Sequence, residues 1–369
     1  NLSGYKNSAL FRERFGRYEL IEKIGGGGMG DVYRALAPGA LGVTKELCIK
    51  RIRPELSRER AVIEMFATEA RVSMLLSHGN IVQVFDFGRV GDELFLAMEL
   101  VDGLDLRSLL DRLQAEGARL LPPLCAHVGV CVCTALAYAH ERRGGDGQPL
   151  GIVHRDLSPG NVIVARSGEI KLADFGVAHL AEAGAGRLRG TIAYMAPEQA
   201  AMLPIDGRAD QFGLGLLLYE VLSGKNPYAG GTRDEILERA KNAEIPPLPA
   251  EVPQALRRVM AQALEFDPRK RFLDARAMRQ ALAPLAAEAG TPRPEDELTV
   301  LVDRLAPRRN RSAPPAPARP PGDAADAVET IDTRPATYYT VHGQEPNFTA
   351  RLGQPARPAR PFEYEEPEK

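Results

Sequence analysis

The sequence contains no tryptophan, only four cysteines and no excess of either charge. Each shortage excludes something. Cys48, Cys125, Cys131 and Cys133 are too few and too irregular for a disulfide framework, and none forms a CxxC pair suited to zinc. They point to a reducing compartment, and Cys131 and Cys133, in the alanine-rich stretch from Val128 to Ala139, read as small core side chains. Lysine plus arginine (47) nearly cancels aspartate plus glutamate (49), so no electrostatic drive favours nucleic acid or a membrane surface, and no nucleic-acid partner is expected. No apolar run approaches the ~18–20 residues that cross a bilayer, so no transmembrane segment and a soluble, cytoplasmic protein are expected. The first residue is Asn1 rather than methionine, and residues upstream of it are not excluded.

Apolar residues make up 44% of the chain, ample for a core. The composition changes at about residue 288, where runs such as SAPPAPARPPG and QPARPARP begin. Such a segment buries too little apolar surface to offset its ordering entropy, so 288–369 reads as a disordered proline-rich tail. One island interrupts it: Leu298, Leu301, Val302 and Leu305 recur at i, i+3, i+4, i+7, which predicts a short amphipathic helix near 295–306. A helix that short needs a partner, either the preceding domain or another protein.

Between a short extension (1–16) and the tail, residues 17–287 read as one domain. Its first part (17–101) is strand-like around one helical stretch, Ser57 to Leu76. The second (102–287) is mostly helical: Leu106–Gln114, Leu124–Arg142, Ala209–Ser223, Arg233–Asn242, Pro253–Leu264 and Asp274–Glu288. The fold class is α+β, a small β-rich lobe before a larger α-helical one, with a ligand expected in the cleft between them.

Four motifs carry chemistry. Gly25, Gly26, Gly27, Gly28 and Gly30 lie between two strand-like stretches, where glycines let a hairpin backbone approach phosphates. A following helix would suggest a dinucleotide fold; the following strand disfavours it. Lys50 ends the apolar run Leu47-Cys48-Ile49, and Glu69 interrupts the apolar face of the next helix, where it would anchor a phosphate-clamping ammonium. His154-Arg155-Asp156, with Asn161 five residues beyond the aspartate, and Asp174-Phe175-Gly176 complete the set. Phosphoryl transfer needs a base beside the attacking hydroxyl and oxygen ligands for magnesium: Asp156 suits the first role, Asn161 and Asp174 the second. Singly, each acid is a turn residue or helix cap; chance does not supply all of them in this order.

The ordered set GGGGMGDV, CIK, Glu69, HRDLSPGN, DFG and YMAPE resembles the protein kinase superfamily, in particular eukaryotic-like bacterial Ser/Thr kinases of the myxobacterial type. The resemblance implies the two-lobed protein kinase fold, ATP and Mg2+ as cofactors, and protein substrates with Ser/Thr acceptors. It places Gly25, Gly27 and Gly30 over ATP, Lys50 on the α- and β-phosphates with Glu69 behind it, Asp156 as base, and Asn161 and Asp174 on magnesium. Met98 becomes the gatekeeper, the backbones of Glu99 and Val101 face adenine, Asp105 meets the ribose, and Val32, Cys48 and Ile163 enclose the purine. Glu198 is expected to pair with Arg271, Asp210 to begin a central helix, and Thr191 to contact the catalytic aspartate, which favours Ser/Thr acceptors over tyrosine.

Two departures stand out. Ser158 replaces the lysine that most Ser/Thr kinases place near the transferring phosphate, a cation worth a few kcal/mol there. Between Gly176 and Thr191 there is no Ser, Thr or Tyr to receive an activating phosphate, so Glu182 is the expected substitute charge for Arg155. Thr330, Thr333, Thr337 and Thr340 in the tail are candidate acceptors for a phosphopeptide-binding partner. The alternative function is a pseudokinase scaffold that binds nucleotide and presents its tail.

Overall fold

Period-two alternation near the start of the chain produces strands in the structure, a computed structural model that describes residues 12–27, 30–39, 43–58, 60–175, 192–287, 293–307 and 329–330. Of residues 61, 62, 65, 69, 329 and 330 it describes the backbone alone. The strands β1 (Glu13–Phe15), β2 (Tyr18–Gly26), β3 (Gly30–Pro38), β4 (Thr44–Ile52), β5 (Val84–Val90) and β6 (Glu93–Met98) pair antiparallel, with the two-residue β10 (Glu329–Thr330) on the outer edge of β5. Ile49, Phe95 and Ala97 bury one face with Phe15 and Tyr18; Cys48, Ile52, Leu94, Leu96 and Met98 bury the other. Phe66, Ala67 and Ala70 of helix α1 (Arg60–Met74) cover that second face.

Register decides what faces the cleft. Directly opposed residues in an antiparallel pair point the same way. Val32 lies opposite Lys50, and Cys48 opposite Met98. Cys48 and Lys50 are two apart on β4, so all four side chains share one face.

The second lobe is built from α2 (Leu106–Ala115), α3 (Pro122–His140), α4 (Pro197–Ala200), α5 (Gly207–Ser223), α6 (Arg233–Lys241), α7 (Gln254–Ala263) and α8 (Ala275–Ala286). Apart from the four-residue α4, these match the expected helices to within a few residues. The stretch expected to start at Ser57 starts at Arg60 because Leu56–Arg58 forms a separate 3-10 turn. The mostly helical expectation missed a three-stranded sheet, β7 (Gly103–Asp105), β8 (Val162–Ala165) and β9 (Ile170–Leu172). Strands of three and four residues are too short to show a period.

α3 also corrects an expectation: its 19 residues are long and apolar enough, by length and composition, to cross a membrane. They are instead mostly buried against protein. Gly129 permits that packing, since a Cβ there would lie 2.7 Å from Leu282 Cδ1 and 2.9 Å from Leu218 Cδ1.

The predicted amphipathic helix is α9 (Pro294–Leu305), and it docks on the second lobe, with Leu298 and Val302 fully buried in the main core. Arg166, in the β8–β9 turn, donates to Asp303 and to the Pro307 carbonyl, both at 2.7 Å. Truncating a fully buried leucine costs about 2–5 kcal/mol, whereas exposed positions change stability by less than ~0.5 kcal/mol. Urea unfolding should therefore show Leu298→Ala less stable by about 2–4 kcal/mol, and Val300→Ala, whose residue is 66% exposed, unchanged. Equal effects of the two would remove α9 from the folded unit.

Candidate active site

Residues 153–158 run as irregular backbone into the 3-10 turn Pro159–Asn161, and one buried carboxylate shapes their start. Asp210, in the first turn of α5 and 2% exposed, accepts from the amides of His154 and Arg155, each at 2.8 Å, and from His140 Nε2 at 2.8 Å. Burial opposes its charge, but the hydrogen bonds and charge of His140, with His154 and the Arg155 amide, hold the carboxyl below its usual range. Arg155 adopts φ +67, a left-handed conformation that costs a non-glycine residue about 1 kcal/mol or more unless its surroundings enforce it. The carboxylate enforces it.

The next residue is Asp156. Its amide donates to His154 Nδ1 at 3.2 Å, while His154 Nε2 meets the Ala173 carbonyl at 3.0 Å. One ring nitrogen accepts and the other donates, which specifies the neutral Nε2–H tautomer. The same ring stacks at a tilt on Phe175, centroids 4.7 Å apart. His154 thereby joins the Asp156 loop to the Asp174 loop. Asn161 Nδ2 donates to the carbonyl and to Oδ2 of Asp156, at 2.9 and 3.0 Å. The Asn161 carbonyl accepts from Ala173 N at 2.8 Å. Asp174 is likewise left-handed, at φ +52, and its Oδ2 accepts from Lys50 Nζ at 2.9 Å. Lys50, Asp156, Asn161 and Asp174 thus belong to one connected network spanning both lobes.

With the Asn161 amide nitrogen committed to Asp156, its Oδ1 is the atom that would serve magnesium, and the Asp174 carboxylate would add the oxygen ligands that ion prefers. At the tip of the β2–β3 hairpin the Gly27 amide donates to the Gly30 carbonyl at 2.8 Å. A Cβ on Gly30 would fall 1.9 Å from the Arg51 carbonyl oxygen, so β4 requires that glycine. Among the described residues a Cβ on Gly27 would meet nothing within 4 Å, and one on Gly25 only Val32. Packing among the described residues does not require glycine at those two positions.

Cys48 and Met98 lie in one apolar cluster with Val32, Val101 and Ile163. The Glu99 amide is already used by the Gln83 carbonyl at 2.8 Å and its carboxylate by Lys171 at 3.0 Å, so its carbonyl is the group left for a ligand. Asp105 caps α2, accepting from Ser108 N at 2.8 Å and Ser108 Oγ at 2.7 Å. A ribose contact there would have to exchange with that cap. Glu69 lies on α1, but its side chain is outside the described residues, as are Gly176, Glu182 and Thr191 entirely. Glu198 forms the expected bidentate pair with Arg271, at 2.6 and 2.8 Å and buried on both sides.

Sequence reading missed Gln199, which accepts from Ala196 N at 3.1 Å and donates to the Arg155 carbonyl at 3.0 Å. It also missed Tyr194, Arg107 and Glu220, a cluster in which Tyr194 and Glu220 are buried and Arg107 is partly exposed. Only the closeness of Gln199 and Tyr194 to Ala196-Pro197-Glu198 could have drawn attention to two of the four.

Comparison with known proteins adds an independent line. Residues 18–282 match the protein kinase domain family. The chain is 34% identical over 282 residues to the tyrosine-protein kinase MasK of Myxococcus xanthus, covering 74% of this chain and 44% of that protein. It is 33% identical over 288 residues to the serine/threonine-protein kinase PknA of Mycobacterium tuberculosis, covering 76% and 63%. For the serine/threonine-protein kinase Pkn1 of Myxococcus xanthus the figures are 35%, 74% and 39%. The chain therefore spans between two fifths and two thirds of the length of these relatives. The crystal structure of the M. tuberculosis PknI kinase domain superposes with a TM-score of 0.57 at 29% identity, over 74% of this chain and 96% of that one.

Burial lowers the pKa of His154 against the opposing pull of Asp210 and Asp156, and it lowers His78 and His127 as well. A histidine lowered by folding binds more protons when unfolded, so its contribution is complete above the unfolded value near pH 6.5 and is lost as the pH falls. Asp210, also lowered, acts in the same sense below about pH 4. Urea unfolding at pH 5.5 should give a stability at least about 1 kcal/mol below that at pH 7.5. A flat profile would contradict the buried neutral imidazole.

Proposed function

The chain belongs to the protein kinase family, and on that premise we propose that it transfers the γ-phosphate of ATP to serine and threonine hydroxyls of protein substrates. The observation that carries this reading is the connected network: Lys50 on Asp174 at 2.9 Å, Asn161 on Asp156 at 3.0 Å, and His154 joining the two loops.

In this reading Asp156 Oδ accepts the proton of the acceptor hydroxyl as the hydroxyl oxygen bonds to the γ-phosphorus and the bond to the β-phosphate oxygen breaks, releasing ADP. Lys50 turns from Asp174 to the α- and β-phosphates, with Glu69 as its second anchor. Asn161 Oδ1 and the Asp174 carboxylate would hold magnesium, which when bound would neutralise phosphate charge. Gly25, Gly27 and Gly30 cover the phosphates. Val32, Cys48, Met98 and Ile163 enclose adenine against the backbones of Glu99 and Val101, and Asp105 meets the ribose. The family resemblance assigns Thr191 the contact with the catalytic aspartate.

The choice of Ser/Thr over tyrosine rests on Thr191 and on the names of PknA and Pkn1; MasK, named a tyrosine kinase, supplies the competing acceptor. Use of ATP places the domain on the cytoplasmic side, and the tail threonines are candidate sites for a phosphopeptide-binding partner.

Incubation with labelled Mg-ATP and a generic basic acceptor protein should put phosphate on serine and threonine. Asp156→Asn should lower the rate about a hundredfold or more. Ser158→Lys should raise it, because a cation there stabilises charge on the transferring group. ATP binding without any transfer would favour the scaffold alternative; phosphotyrosine alone would correct the acceptor.

A further inference from the structure

The match to the kinase family ends at residue 282, and α9 begins at Pro294, so this helix lies beyond the matched domain. It is nevertheless packed against the strands that follow the lobe junction. Leu298, Val302 and Ala306 share one buried cluster with Leu104 of β7 and with Val162 and Val164 of β8. Those two strands also carry Asp105 and Ile163, opposed in register and assigned above to the ribose and the purine. In the β8–β9 turn Gly168 is left-handed at φ +82, and a Cβ on it would fall 2.1 Å from the Glu295 carbonyl oxygen, so the turn lies directly against the start of α9. At the other end Arg112 of α2 donates to the Leu305 carbonyl, and Arg166 Nη2 donates to the Pro307 carbonyl at 2.7 Å. Cations on the last carbonyls of a helix complement its dipole, so this end is the firmly held one.

Arg166 faces two ways. Towards α9, Nη1 donates to Asp303 at 2.7 Å. Towards the junction of the lobes, its amide donates to the Asp102 carbonyl at 2.7 Å and its Nε makes a longer contact, 3.4 Å, with Asp102 Oδ1. The Arg166 side chain is only 22% exposed, so these partners rather than water hold its charge. Asp102 directly follows Val101. The next residue, Gly103, opposes Ala165, and a Cβ on it would lie 2.1 Å from the Val164 carbonyl oxygen, so this segment meets β8 backbone to backbone. A displacement of Arg166 is therefore passed to the segment that holds Val101 and to the strand that holds Ile163, with no loop between to absorb it.

We propose that Arg166 is a positioning residue for the nucleotide: by fastening the Asp102 segment to α9 it sets the affinity for adenine nucleotide, so that α9 completes the nucleotide site from outside the matched domain. This rests on the kinase reading above, which puts adenine against the backbones of Glu99 and Val101. Arginine suits the task because its planar fork addresses partners on two sides at once, which the single point of a lysine ammonium does not. Such coupling is reciprocal: a docked α9 that raises nucleotide affinity is itself held docked by bound nucleotide, by the same factor.

The test is equilibrium titration of the full chain with a fluorescent ADP analogue and Mg2+, together with amide hydrogen exchange of α9 with and without Mg-ADP. The variants are Arg166→Met, Arg166→Lys, Asp303→Asn, the Arg166→Met/Asp303→Asn double variant and Arg304→Gln. Arg304 pairs with Glu116 at 3.2 Å, another partly exposed ion pair of α9 that bypasses Arg166, and so it controls for general loosening of the helix. The expected result is a Kd raised about fivefold in Arg166→Met, about twofold in Arg166→Lys and Asp303→Asn, no higher in the double variant than in Arg166→Met, and unchanged in Arg304→Gln. In wild type Mg-ADP should slow exchange across α9 about fivefold, and Arg166→Met should abolish that slowing. A wild type that binds nucleotide, with variants of the same Kd or with α9 exchange unaffected by Mg-ADP, would overturn the inference alone. Equal weakening in Asp303→Asn and Arg304→Gln, with lowered melting temperatures, would also overturn it, as a merely structural role. A wild type that binds no nucleotide would remove the kinase reading and this inference with it.

Discussion

The carboxylate of Asp210 is the constraint on which the rest of the site depends. Three donors converge on a side chain removed from water: two consecutive backbone amides and an imidazole. A charge buried this deeply is stable only when such donors replace its lost hydration. Their geometry is therefore rigid, and the rigidity is exported: consecutive amides reach one carboxyl group only if the chain turns sharply at Arg155, which accounts for the left-handed residue there. Asp156 inherits its direction from that turn. At the opposite end of the same helix, Glu220 gathers Arg107 and Tyr194, so α5 acts as a shaft of about 15 Å between two polar clamps.

Coupling between the lobes is carried by fewer groups. Lys50 comes from the sheet and Asp174 from the loop after β9. His154 and Phe175 then connect Asp174 to the loop that Asp210 shapes. A chain of hydrogen bonds and ring contact therefore runs from the first sheet to the centre of the helical lobe. α9 is tied through Arg166 to Asp102, directly after Val101, so this helix is fastened to the segment that joins the lobes.

Much of this was legible in the sequence, for physical reasons that differ by element. Long helices announced themselves by apolar periodicity, and the Leu298–Leu305 pattern marked α9 even within a proline-rich stretch. Lys50, Asp156, Asn161 and Asp174 were singled out by their chemical types within recognisable motifs, and folding brings these four into one connected network. The three-strand sheet was not, since β7 and β9 have only three residues each. Nor was the Arg107–Glu220–Tyr194 cluster. Its members lie 26 to 113 residues apart, and each alone is an unremarkable polar residue that only folding brings together. The apolar character of α3 was misjudged for a related reason: small residues such as Gly129 and Ala135 look neutral in a sequence, yet they make a helix apolar and allow close packing.

The account stands on Asp210 acting as the geometric origin of catalysis rather than as general core filling. Single-turnover transfer from bound Mg-ATP in Asp210→Asn, alongside nucleotide affinity, measures this directly, because asparagine keeps the shape and removes the charge and one acceptor oxygen. Misplacing a reacting group by about 1 Å costs roughly a hundredfold in rate. The account predicts a loss of at least that size with nucleotide affinity changed less than about threefold; a variant that transfers phosphate at the wild-type rate would contradict it.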